Sequence, residues 1–125
     1  MPRVAHVLIV DDDEEFRSVL GELLEAEGCT VYTAEDGKRA LDVLRVVTPD
    51  LVLVDLMMPV MNGWEFCAAI ERNSSLADIP VVILSGVARF GPRDRSRVLV
   101  KPVERSALAS LLDDVCAPPW APSSA

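Results

Sequence analysis

The chain has 125 residues, half of them hydrophobic, and a formal net charge of −8. That length fits one domain, and the acidic balance argues against a nucleic-acid-binding surface, which is normally basic. No apolar stretch approaches the roughly 20 residues of a membrane span, and the N-terminus reaches Asp11 after one short apolar run, which is no secretory leader. The three cysteines, Cys29, Cys67 and Cys116, are odd in number, scattered, and each in or beside an apolar stretch. They read as buried, reduced thiols, and a cytoplasmic location follows.

Along the chain, short apolar runs alternate with longer segments of helical period, the pattern of βαβ units. His6 to Val10 lacks polar alternation, as expected of a strand buried on both faces. Phe16, Val19, Leu20, Leu23 and Leu24 then mark an amphipathic helix, with Gly28 placed to stop it. Cys29 to Ala34 reads as a second strand. Ala40, Leu44 and Val47 mark a helix that closes before Pro49, and Leu51 to Asp55 is the third strand. Phe66, Cys67 and Ile70 give the next helix its inner face, and Pro80 opens the fourth strand. Residues 87–97 differ: Gly91, Pro92 and four arginines (89, 93, 95 and 97) leave room for one short helix at most. Val98 to Lys101 is the fifth strand, and Leu108, Leu111, Leu112 and Val115 belong to a final helix. The domain is expected over residues 1–116, with 117–125 a disordered tail rich in Pro and Ser.

The apolar runs end in polar groups of different kinds. Val7-Leu8-Ile9-Val10 ends in Asp11-Asp12-Asp13, and Leu51-Val52-Leu53-Val54 in Asp55. Val81-Val82-Ile83-Leu84 ends in Ser85-Gly86, and Val98-Leu99-Val100 in Lys101-Pro102. In an open parallel sheet the strand C-termini meet at one edge, where ligands bind. Asp11, Asp12 and Asp55 would crowd three carboxylates into one pocket, a charge conflict that a hard divalent cation such as Mg2+ resolves. Asp55 is the candidate nucleophile for a phosphoryl group, Lys101 a compact cation for a phosphoryl oxygen, and Ser85 a hydroxyl donor. Taken singly, Lys101 reads as a strand-end surface lysine and Ser85 as a turn residue; the order of the set is what carries the signal. Asp13, Glu14 and Glu15 fit a plainer role as an acidic helix start. His6 reads as structural, Trp64 as a packing residue, and Trp120 as a tail aromatic without a role.

The set Val10-Asp11-Asp12, Asp55-x-x-Met58-Pro59-x-x-Asn62-Gly63, Ser85-Gly86 and Lys101-Pro102 resembles the receiver domain of bacterial two-component response regulators, of the single-domain, chemotaxis-regulator kind. The resemblance runs from about Val4 to Val115. It implies a flavodoxin-like, doubly wound α/β fold with a five-stranded parallel sheet in the order 2-1-3-4-5. It implies phosphorylation of Asp55 by a sensor histidine kinase or phosphotransfer protein. Mg2+ would be held by Asp12, Asp55 and the backbone carbonyl of Met57, with Asp11 helping through water. Ser85 and Lys101 match the family's switch hydroxyl and phosphate-binding lysine, and the Lys101-Pro102 peptide is expected to be cis.

Two positions depart from the family pattern. Val98 stands where receivers usually carry Tyr or Phe, and the short span between Ser85 and Lys101 implies a cut-down fourth helix. Phosphorylation is therefore expected to act by ordering or shifting residues 87–97 and not by rotating a buried aromatic. The chain reads as a signalling module acting by protein contact, with no membrane or nucleic-acid partner and no separate substrate. One alternative is a degenerate receiver, an interaction module independent of phosphorylation. Another is a phosphatase with an aspartate nucleophile, but such enzymes commonly need a second acid where this chain has Met57.

Overall fold

Apolar runs without polar alternation set the architecture, because a strand with two apolar faces must be covered on both. The computed structural model describes residues 5–86 and 97–115. Its five strands are β1 (His6–Val10), β2 (Thr30–Ala34), β3 (Leu51–Asp55), β4 (Val81–Ser85) and β5 (Arg97–Val100). All pair in parallel, in the order β2-β1-β3-β4-β5. The described helices are α1 (Glu14–Ala26), α2 (Gly37–Val43), α3 (Gly63–Glu71) and α4 (Arg105–Val115). The expected α/β fold and strand order are those observed.

Side chains alternate across a strand, so the sheet has two cores. Val7, Ile9, Leu51, Leu53, Val82, Leu84 and Leu99 face α1 and α4, meeting Leu20, Leu24, Leu108, Leu111 and Leu112. Leu8, Val10, Val52, Val54 and Ile83 face α2 and α3, meeting Ala40, Phe66 and Ile70. β3, central in the sheet, is buried throughout, whereas the edge strand β2 is half-exposed. Val98 is half-buried on the second core, beside Ile83 in the sheet.

Local chemistry fixes the helix ends. Asp13 caps α1 by accepting from the Phe16 N–H at 3.1 Å, with Glu14 and Glu15 in the first turn as the acidic start requires. At the other end the Gly28 and Cys29 N–H groups bond back to the Glu25 and Leu24 carbonyls, and Gly28 takes φ 90°. This paired closure needs the left-handed conformation that glycine adopts at no steric cost. α3 opens with a reciprocal capping box between Asn62 and Glu65.

Some boundaries and environments differ from the sequence reading. Cys29 lies before β2 as part of the α1 closure, and Lys101 lies just past β5. Arg97 opens β5 and pairs with Val82 instead of belonging to the preceding segment. Val47 falls beyond the end of α2. Val19 is 52% exposed, because the buried face of α1 is centred on Leu20, Gly21 and Leu24. Trp64 leaves 42% of its surface exposed, so packing accounts for only part of it. Cys29 is buried and Cys67 half-buried, both as free thiols; burial and the nearby Glu71 push the Cys67 thiol up to about 11. The short helix expected within residues 87–96, Cys116 and the tail lie outside the described residues.

Candidate functional site

Parallel pairing aligns the carboxyl ends of β1, β3, β4 and β5 at one edge. The connections from β1 and from β3 run to opposite sides of the sheet, and the crevice between these two strands is where ligands bind in doubly wound folds. Asp11 and Asp12 follow β1, and Asp55 ends β3. Oxygen atoms of the three carboxylates lie within 4.8 Å of one another. Lys101 reaches in from the end of β5, its Nζ donating to Asp11 Oδ2 at 2.8 Å and to Asp55 Oδ1 at 3.1 Å.

Asp11 has no exposed surface, yet its polar atoms are satisfied. Oδ1 accepts from the Asp13 N–H at 2.9 Å and Oδ2 from Lys101. Its own N–H donates to Ala34, and its carbonyl accepts from Arg17 Nη1 at 2.6 Å. A buried carboxylate is tolerated on those terms. Asp12 is exposed and Asp55 buried, so the cluster is open on one side. Ser85 is buried at the end of β4, and its carbonyl accepts from the Lys101 N–H at 2.7 Å, which ties the β4 and β5 ends together. The Lys101-Pro102 peptide is cis, as expected.

Burial raises the Asp55 carboxyl above the ordinary carboxylate value; the hydrogen bond from Lys101 opposes this, and the charges of Asp11 and Asp12 add to it. For Lys101, burial favours the neutral amine, but the hydrogen bonds to Asp11 and Asp55 outweigh it and the ammonium is held above its usual range. Three carboxylates face one ammonium, so two negative charges are left over. The donors are hard oxygens, and their excess charge suits one divalent cation of the Mg2+ type.

The loop after β3 shapes the far wall. Gly63 returns so close to β3 that its N–H donates to the Leu56 carbonyl at 2.9 Å, and a Cβ there would sit 2.8 Å from the Asp55 carbonyl oxygen and 3.0 Å from Leu56 Cα. The Asn62-Gly63 pair thus combines a helix cap with a close backbone approach. Gly63→Ala is expected to cost about 1–3 kcal/mol, the usual range for overpacking, because both contacts are backbone. Urea unfolding measures that loss. Within the same loop Val60 holds φ 68°, a costly conformation for a β-branched residue. Met57 follows Asp55 by two positions and is 76% exposed.

The structure therefore brings Asp11, Asp12, Asp55 and Lys101 together and puts Ser85 on the adjoining strand end. His6 lies at the opposite edge, its N–H bonded to Asp50 at 2.8 Å and its ring stacked on Tyr32, in keeping with a structural role. Arg17 stands outside the sequence motif, and Phe16 enters the sequence pattern only as an apolar position of α1. Lys101 Nζ lies 4.3 Å from the centroid of the Phe16 ring. The available signal was the lean of helical side chains toward the N-terminus, which carries residues of the first turn over the preceding loop.

The family model for the response regulator receiver domain matches residues 7–113. The chain belongs to this family. It is a receiver domain of two-component signalling, similar over 108 residues to the protein PilG of Pseudomonas aeruginosa, at 33% identity, covering 82% of this chain and 80% of PilG. Several other curated relatives are larger, and the chain spans only 22% to 53% of their lengths; a protein-glutamate methylesterase and transcriptional regulators are among them. Among solved structures, the chemotaxis response regulator CheY4 of Vibrio cholerae superposes with a TM-score of 0.82 at 30% identity, covering 90% of this receiver and 98% of that chain. The receiver domain of the sensor histidine kinase PA1611 of Pseudomonas aeruginosa, with a magnesium ion coordinated in its active site cleft, shares the fold with a TM-score of 0.82 at 23% identity, covering 91% and 98% of the two chains. Among the described residues, no helix is long and apolar enough to cross a membrane.

Proposed function

We propose that this receiver accepts a phosphoryl group on Asp55 from a sensor histidine kinase or phosphotransfer protein, with Mg2+, and signals by protein contact. The observation that carries the reading is the meeting of Asp11, Asp12 and Asp55 within 4.8 Å, with Lys101 bridging the first and the last. Asp12, Asp55 and the Met57 carbonyl would hold Mg2+ directly and Asp11 through water; when bound, the ion offsets the charge on the incoming phosphoryl oxygens. The P–N bond of the donor breaks as an Asp55 Oδ–P bond forms, and the electron pair stays on the imidazole, which takes a proton from solvent. Lys101 would then leave Asp55 for a phosphoryl oxygen, and the Ser85 hydroxyl would turn toward another. Little covalent help is needed, because phosphoryl transfer depends on position and electrostatics. The chain promotes only its own phosphorylation and dephosphorylation, and its free thiols suit the reducing cytoplasm.

Treatment with acetyl phosphate and Mg2+ followed by mass spectrometry tests the reading. One added phosphoryl group is expected on the wild type and none on Asp55→Asn. Undiminished labelling of that variant would move the acceptor elsewhere, and an unlabelled wild type would favour an interaction module independent of phosphorylation.

A further inference from the structure

We propose that Phe16 is a positioning residue for Lys101: its ring attracts the ammonium and shields one side of it, keeping the charge beside Asp55, where the phosphoryl group arrives. The inference rests on the receiver reading above and adds to it a residue that touches neither metal nor phosphoryl group.

The geometry comes from two elements. Asp13 caps α1 and accepts from the Phe16 N–H, so Phe16 is fixed in the first turn. Its side chain leans toward the helix N-terminus, over the loop that carries Asp11 and Asp12. Lys101 enters the same space from the end of β5, with Nζ 4.3 Å from the ring centroid. That distance is well inside the roughly 6 Å over which a cation is drawn to an aromatic face. The ammonium has three donors. Carboxylates of Asp11 and Asp55 take two of its directions, at 2.8 and 3.1 Å, and the ring stands as a further partner.

The ring differs from both carboxylates in a way that matters for the chemistry. Each carboxylate neutralises the lysine, and Asp55 surrenders that contact once it carries the phosphoryl group. The ring brings no net charge and takes no strong donor. It therefore holds Lys101 before and after transfer and leaves its positive charge available. It also withholds water from part of a side chain that is only 25% exposed, which strengthens attraction to a phosphoryl oxygen. An aliphatic residue would fill the space and shed water but would not attract the cation.

The test separates attraction from bulk. Phe16 is replaced by mono-, di- and trifluorophenylalanine, a series that drains electron density from the ring face while nearly preserving its shape. Binding of beryllium fluoride, a phosphoryl mimic, is measured by calorimetry in saturating Mg2+. Affinity is expected to fall stepwise, by about three- to tenfold across the series, and Phe16→Leu should fall at least as far. In a Lys101→Ala background the series should be flat. Wild-type Lys101 ε-methylene protons should show an upfield ring-current shift in NMR spectra that Phe16→Leu loses. A flat fluorine series beside a large Lys101→Ala loss overturns the role of Phe16 and leaves the receiver reading standing. If Lys101→Ala binds the mimic as tightly as wild type, the assigned role of Lys101 falls too.

Discussion

Lys101→Met is expected to destabilise the metal-free protein by about 2–3 kcal/mol, even though lysines at strand ends rarely matter for stability. Removing one partner of a buried pair typically costs 3–5 kcal/mol, because the other charge is left uncompensated. The lower figure allows for the partial exposure of Lys101. Asp11 is the residue left behind: fully buried, with one carboxylate oxygen still bonded to the Asp13 N–H and the other abandoned. Urea unfolding in EDTA measures the loss. Adding Asp11→Asn to Lys101→Met should recover part of it, since the Asp11 charge is then gone while Asp55 stays buried without its lysine partner. The pH dependence has a definite sign. The ammonium is held above its usual value of 10.5, so its contribution is complete below pH 10.5 and disappears as pH rises through the higher folded-state value. Wild type should lose this increment at strongly alkaline pH, and Lys101→Met should lack that step. A variant as stable as wild type in EDTA would show that Asp11 does not depend on Lys101.

Much of this site was legible because each piece of chemistry stands at the end of an apolar run. Asp11, Asp55, Ser85 and Lys101 are where strand endings in a parallel sheet must put them, and the order β2-β1-β3-β4-β5 places them side by side. Features set by helix geometry were harder to read. The apolar positions of α1 placed Val19 on the inner face, but it lies about 120° around the helix from the midpoint of Leu20 and Leu24 and is exposed. Gly21, with no apolar side chain to signal it, lies on the buried side, where a Cβ would be 3.7 Å from Val31 and 4.0 Å from Ile9. Arg17 escaped notice because its target is a backbone carbonyl, a partner that no residue identity reveals. Gly63 was seen as part of a motif, but its reason, closeness to the backbone of Asp55 and Leu56, is a distance.

Mg2+ is expected to reverse the stability order of wild type and Asp55→Asn. Burial and the neighbouring carboxylates raise the Asp55 pKa above its ordinary 3.8, so ionisation of Asp55 is less favourable in the folded protein than in the unfolded chain. The linkage is therefore the opposite of the usual carboxylate case. As pH falls through the raised value toward 3.8, the folded state takes up a proton before the unfolded state does, and Asp55 comes to weaken the fold less. At neutral pH without metal, Asp55→Asn should be the more stable protein, and its margin should shrink as the solution is acidified through that window. With Mg2+ at 100 times its dissociation constant, a ligand bound only to the native state adds roughly 2.7 kcal/mol. Wild type, with Asp11, Asp12 and Asp55 all present, should gain most of this, and Asp55→Asn much less. Asp12→Ala should likewise lose the gain, because it removes the exposed carboxylate on the open side of the cluster. The apparent Mg2+ affinity of wild type should itself weaken as pH falls through the Asp55 window, since proton and metal compete for one carboxylate. Thermal melts of the three proteins, with and without millimolar Mg2+ and at several pH values, give all of these comparisons. An identical Mg2+ shift in wild type and in both variants would place the cation elsewhere, and no shift in any of them would remove the metal from the site.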